Sequence, residues 1–187
     1  KGHRVVVVAP SSENIHRFIS GIEIFGVKSF HLPSWPYYSL RSFNVPYSLS
    51  SFVSVVQGLI RKGDVDVLHA QGQKYLYTSV AVRLSRLAKM PAVLTIHGTY
   101  GLKYYGSAAR FIEETFNRTV LAQTLQSVSA VVCCTRLEEG YAKQYYEGIK
   151  GFHIPNGIDV TRLRNALKNK AKFREEFQIP PDKKVIL

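Results

Sequence analysis

The sequence holds only two cysteines among 187 residues, with one methionine and one tryptophan. Cys133 and Cys134 are adjacent in "AVVCCT". Neighbouring side chains on a strand point to opposite faces, so this pair cannot easily close a disulfide. Two thiols also fall short of a zinc site, and their aliphatic setting favours small buried hydrophobes. No run approaches the ~18 to 20 apolar residues that span a bilayer. The start, "KGHRVVVVAP", is too short in its apolar stretch and too β-branched for a signal peptide. The expected location is cytoplasmic.

Acidic residues are scarce too. Asp and Glu number 13 against 25 Lys and Arg, a net charge of +12. Such a balance suggests an anionic partner: nucleic acid, lipid head groups or a phosphorylated substrate. Aromatics do not interleave with cations as nucleic-acid stacking platforms require, so no nucleic acid is expected. Six cations fall within Arg162 to Arg174, in "RLRNALKNKAKFR". A solvated helix face is the ordinary reading of that run; contact with an anionic membrane surface is the alternative.

Familiar catalytic signatures are missing. There is no G-x-S-x-G elbow, no G-x-x-x-x-G-K-[ST] phosphate loop and no G-x-G-x-x-G fingerprint. The glycines of "GTYGLKYYG" do not fit any of these spacings. Elbow hydrolases, simple NTPases and NAD dehydrogenases are therefore disfavoured.

What the chain does have is alternation. Short apolar runs, "RVVVVAP", "DVDVLHAQG", "AVLTIHG", "AVVCCT" and "GFHIPNG", alternate with segments of helical period. The first is solid and β-branched, as a strand buried on both faces would be. "GIEIFGVKSFHLP" reads as two extended pieces around Gly26, a hairpin or bulge. One helix stripe carries Leu49, Phe52, Val53, Val56, Leu59 and Ile60, with Gly63 as its stop. A second carries Leu76, Val80, Leu84 and Leu87; a third, over about 108–128, turns Ile112, Phe116, Val120, Leu121, Leu125 and Val128 inward. The aromatic, proline-rich stretch Leu32 to Ser48 reads as a long ordered loop. The fold class is α/β, a Rossmann-like and mostly parallel sheet with helices on both faces.

Ligands of such sheets bind at the carboxyl ends of the strands. There the sequence places His69 to Gly72, His97-Gly98-Thr99, Thr135-Arg136 and Asn156-Gly157. A lone histidine is usually a satisfied core residue. His97, however, precedes a glycine that lets a ligand approach the backbone, and His69 occupies the corresponding end of another strand. No carboxylate or thiolate lies at a spacing that would complete a metal site with them, so no metal is expected. Imidazoles and amides that bond hydroxyls remain, which is what a sugar site needs.

The segments "KGHRVVVVAP", "DVDVLHAQG", "VLTIHGTYG", "VVCCTRLEEGY", "IPNGIDVTRL" and "FREEFQIPPDKKVIL" together resemble family 4, or group 1, of the retaining glycosyltransferases. "IPNGID" is the most specific of them. The resemblance implies the N-terminal, acceptor-side half of a two-domain GT-B enzyme. It implies residues 1–160 as the Rossmann-like domain, and 161–187 as a linker helix with the start of a nucleotide-sugar domain. In that pattern a first strand, a glycine-rich loop and a helix precede Lys1, so the chain reads as a fragment. Loss of a central strand would open the sheet, at ~1 to 3 kcal/mol for each buried unpaired group.

By the same resemblance the full enzyme transfers a sugar from a nucleoside-diphosphate sugar to an acceptor hydroxyl with retention. His97 is then catalytic, with Gly98 and Thr99 beside the donor sugar. His69 and Gln71 line the acceptor side, and Thr135 and Arg136 hold an acceptor phosphate or hydroxyl. Asn156 and Gly157 form a hinge, and Asp159 caps the next helix. The family often has a histidine where Gln71 stands, which puts a proton-carrying role there in doubt. The donor is a substrate, and no cofactor is implied. The acceptor is a sugar or a lipid-linked sugar, and the enzyme is expected peripherally on the inner face of the membrane. Two rivals stay open: a nucleotide-sugar epimerase of the same architecture, and a basic module without catalysis.

Overall fold

The computed structural model of the chain describes residues 2–31, 44–46, 49–99, 107–167, 170–180 and 182–184. Most of the Leu32 to Ser48 loop lies outside them. Two compact units form, Lys1–Pro155 and Asn156–Leu187.

The first unit begins with β1 (Val6–Ser11), β2 (Ile15–Ile19) and β3 (Ile22–His31). β1 runs parallel to β3, and β2 runs antiparallel to it. Ser20 and Gly21 join β2 to β3 with φ of 51° and 79°. Two consecutive left-handed residues make the kind of tight turn that matches strand twist. A short β4 (Asn44–Pro46) extends the far end of β3. The hairpin expected around Gly26 is therefore misplaced: β3 runs straight through that residue, and the turn comes before it. Gly26 serves packing instead. A Cβ there would stand 2.5 Å from Ile15 Cγ1 and 2.8 Å from Ser11 Cβ.

Helix α1 (Leu49–Arg61) ends at Gly63, whose φ of 71° marks the stop that the sequence predicts. It buries Phe52 and Val56 against Val27 of β3 and Tyr77, with the Phe52 and Tyr77 rings edge to face at 4.5 Å. Then come β5 (Leu68–Gln71), α2 (Leu76–Leu87) and β6 (Ala92–Ile96). The face expected for α2 needs correction: Leu87 is 76% exposed, while Thr78, Val82 and Ser85 are buried. The helix packs on two sides, through Tyr77, Val80, Ala81 and Leu84 toward α1 and through Val82 into the second core. A single stripe cannot describe it.

Next are α3 (Ser107–Phe116), a π-helical turn (Asn117–Leu121) and α4 (Ala122–Ser127). The wider turn shifts the helix phase. Glu113, Asn117, Leu121 and Leu125 are buried at a spacing of four, and Ile112, expected inward, is 60% exposed. β7 (Ala130–Cys133), α5 (Arg136–Tyr145) and β8 (Gly151–His153) complete the unit.

β5, β6, β7 and β8 form an all-parallel sheet in that order, flanked by helices. One face is the core: Ala70, Leu94, Ile96, Val131 and Cys133 pack with Val82, Leu121, Leu125 and Ala142. The sequence implies one sheet, whereas the described strands form two, because β1 and β5 share no ladder. That also explains why "RVVVVAP" is not buried throughout: Val5 and Val7 are 47% and 37% exposed.

In the second unit, α6 (Val160–Leu167) and α7 (Lys170–Glu176) divide the basic run between two helices. Asp159 Oδ1 accepts the Arg162 N–H at 2.9 Å, the expected cap. Arg174 donates to the carbonyls of Pro180 and Lys183, so one cation of the run ties down a turn.

Gly26→Ala lowers the unfolding free energy by about 1 to 3 kcal/mol, the usual range for forcing a methyl into closed packing. Urea titration measures it, and a loss under about 0.5 kcal/mol means Ile15 and Ser11 yield freely. Burial pushes the Cys133 thiol up to about 11, with help from Glu138 and Glu139, and burial also raises Cys134. At pH 8 only about a thousandth of Cys133 is then thiolate. A thiol reagent labels Cys134 slowly in the folded protein and Cys133 only on unfolding.

Candidate functional site

Parallel pairing aligns the carboxyl ends of β5, β6 and β7. Gln71 sits opposite Thr95, and Ile96 opposite Cys133. Side chains two apart share a face, so His69 and Gln71 stand with Thr95 and His97 on the side away from the core. Cys134, next after β7, comes up beside His97.

These residues make one hydrogen-bonded string. His69 Nε2 lies 2.7 Å from Thr95 Oγ1, and the Gln71 amide nitrogen lies 3.0 Å from the same ring nitrogen. Gln71 Oε1 stands 2.7 Å from His97 Nε2. That oxygen can only accept, so Nε2 carries the hydrogen and Nδ1 is left as an acceptor. Cys134 Sγ is 3.8 Å from Nδ1, a long contact to a thiol whose raised pKa keeps its proton on. Thr95 is buried at the foot of the string, and His97 is exposed at its tip.

The backbone under His97 is held with equal care. Gly98 has a φ of 87°, where a side chain would be strained. Its N–H donates to Glu138 Oε1 at 2.7 Å, and its carbonyl accepts from Gln73 Nε2 at 2.6 Å. Glu138 and Gln73 are both buried, at 4% and 3% exposure. Thr135 opens α5 in a capping box: its hydroxyl accepts the Glu138 N–H at 3.3 Å, and Glu138 Oε2 accepts the Thr135 N–H at 3.0 Å. His153, the last residue of β8, donates from Nε2 to the Cys134 carbonyl at 3.2 Å.

The fold thus gathers His69, Gln71, His97, Gly98 and Thr135 around one edge, with Thr99 half-buried after Gly98. Arg136 is the exposed first residue of α5. His69 is inside β5 rather than at its end, and Gln71 is the terminal residue. Asn156 and Gly157 belong to the second unit. Four participants escape the sequence reading. Thr95 and Cys134 look aliphatic in context, Gln73 has no motif, and Glu138 is visible only as the last residue of "TRLE". Cys134, taken for a core residue, instead meets the His97 ring. Among the described residues, no group of three His, Cys, Asp or Glu side chains is placed to hold a metal ion. An open groove between the β2–β3 hairpin and α1, lined by Asn14, His16, Gly26 and Ser54, contains none of the string.

The arrangement offers hydroxyl-bonding groups on a fixed frame, with an exposed imidazole at the end. No curated protein matches the sequence significantly. The family model described as Glycosyltransferase Family 4 matches residues 1–162, most of the chain. The parallel sheet flanked by helices is that of a GT-B-like half-domain, and the chain belongs to Glycosyltransferase Family 4.

Proposed function

We propose that the chain is the acceptor-side part of an enzyme that moves a sugar from a nucleoside-diphosphate sugar to an acceptor hydroxyl with retention. The carrying observation is the string from Thr95 through His69 and Gln71 to the exposed ring of His97. In this reading His97 bonds the donor sugar and holds it for attack from the leaving-group face. Nδ1 accepts a sugar hydroxyl where the thiol contact is now long and weak. His69 and Gln71 border the acceptor, Gly98 and Thr99 lie beside the sugar, and Arg136 meets an acceptor phosphate. Asn156 and Gly157 act as the hinge toward a nucleotide-binding partner domain. Cations and helix N-termini for the diphosphate come from that domain.

A peripheral site on a cytoplasmic membrane face fits the same reading. No described helix is long and apolar enough to cross a membrane. Phe111 and Ile112 on α3 and Leu137 beside Arg136 are nevertheless 73%, 60% and 79% exposed. With a net charge of +12, such residues suit an anionic lipid surface and a lipid-linked acceptor.

In an enzyme carrying both domains, His97→Ala lowers kcat/KM by about 100-fold, the usual cost of losing one transition-state partner. A rate within twofold of the parent returns His97 to a structural role. Product analysis must show a glycoside with the donor's anomeric configuration; a free epimer identifies an epimerase instead. The chain sediments with anionic vesicles and not with neutral ones, and Leu137→Ser with Phe111→Ser weakens this severalfold. Equal recovery with both vesicle types removes the membrane from the proposal.

A further inference from the structure

Glu138 spends its carboxylate in a way that capping a helix does not require. A capping-box glutamate needs one oxygen, for the backbone N–H of the cap residue. Here that oxygen is Oε2, 3.0 Å from Thr135 N, and the second oxygen accepts Gly98 N–H at 2.7 Å from a different strand-end loop. A carboxylate with 4% exposure tolerates such a place only when both oxygens are bonded.

The bond from Gly98 has a mechanical meaning. The N–H belongs to the peptide that joins His97 to Gly98, so holding it fixes the backbone on the far side of the His97 Cα. The near side is fixed by β6. The next peptide is gripped through the Gly98 carbonyl by buried Gln73 at 2.6 Å. His97 therefore hangs from a backbone held at three points, while its ring is aimed by Gln71.

We infer that Glu138 is a positioning residue for His97, acting through the Gly98 peptide, and that Gln73 is its counterpart on the other side. The inference rests on the reading that His97 meets the substrate. Chemistry limits the choice of side chain: both partners of the carboxylate are N–H donors, so only an acceptor at each oxygen satisfies them. Glutamine has the same shape but must turn its NH2 group against one of the two. Aspartate is one methylene too short to span both loops.

The chain itself supports the first test. Glu138→Gln is compared with Glu139→Gln, which breaks the partly exposed pair with Lys143 on the same helix and weakens the attraction to His153 and Arg136. Hydrogen exchange at the Gly98 amide speeds up at least about tenfold in Glu138→Gln, and the His97 ring nitrogens lose their fixed Nε2–H signature in 15N spectra. Glu139→Gln leaves both unchanged. Should Glu138→Gln fail to fold, Gln73→Leu frees the next peptide at the Gly98 carbonyl and shifts the His97 signals. Unaltered Gly98 exchange and His97 signals in both Glu138→Gln and Glu138→Leu, the second of which offers neither N–H an acceptor, reduce Glu138 to a helix cap and overturn the inference.

A second test uses the two-domain enzyme. Glu138→Gln lowers kcat about tenfold in the parent and has no further effect once His97 is alanine, because residues acting as one unit are not additive. Additive losses overturn the positioning role. If His97→Ala leaves turnover intact while the spectra still link Glu138 to His97, the functional reading of His97 fails and the mechanical link stands.

Discussion

Everything at the polar edge depends on the register of three parallel strands. With Gln71 opposite Thr95 and Ile96 opposite Cys133, the alternation of side chains leaves no freedom about which residues meet. Leu94 and Ile96 go to the core, and Thr95 and His97 go to the other face. A one-residue slip of β6 would send the histidine into the helices and an isoleucine into the string. The register is set by burial: Leu94 and Ile96 are fully enclosed against Val131 and Cys133 of β7, and the slip would turn both out of the core. Hydrophobic packing on one face thus positions hydrogen-bonding groups on the other.

The second constraint is the economy of buried polar groups. Glu138, Gln73, Thr95 and Asn117 are all nearly inaccessible. The first three are each paired, and through them the residues that directly follow β5, β6 and β7 are tied into one rim. Asn117 belongs to a separate knot under the π-helical turn, donating to Tyr145 Oη at 3.2 Å while that hydroxyl donates to Glu114 at 3.0 Å. Polar atoms buried with partners resist movement. Loops at such a rim would otherwise be the least stable part of the sheet.

Much of the fold was legible because parallel strands are nearly continuous apolar runs. β5 to β8 lie where "DVDVLHAQG", "AVLTIHG", "AVVCCT" and "GFHIPNG" put them. His97-Gly98 was legible for a different reason, a polar ring and a flexible backbone where an aliphatic strand had no use for either. What periodicity missed has local causes. The π-helical turn breaks the 3.6-residue count, so Ile112 and Glu113 exchange their expected sides. α2 has neighbours on two sides, so Leu87 was counted into a stripe that is not there. Gly26 looked like a turn because a glycine needed for a close strand contact carries no distinguishing mark. Glu138 could be seen as a cap, but nothing in one sequence says that its second oxygen reaches another loop.

Gln71 at the centre of the string decides what the string can do. An imidazole in that position could take a proton from one neighbour and give another away. An amide cannot, so no proton passes between His69 and His97 along this path. What the amide does instead is fix direction: its oxygen faces His97 and its nitrogen faces His69, so each ring is addressed by a group of one sign. The assembly is an orienting device rather than a relay. Its output is a single exposed ring with a set tautomer, whose acceptor nitrogen meets only the long Cys134 contact among the described bonds. In the proposed transfer, a group held that way suits bonding a sugar hydroxyl while charge develops elsewhere, on the sugar carbon and the departing phosphate.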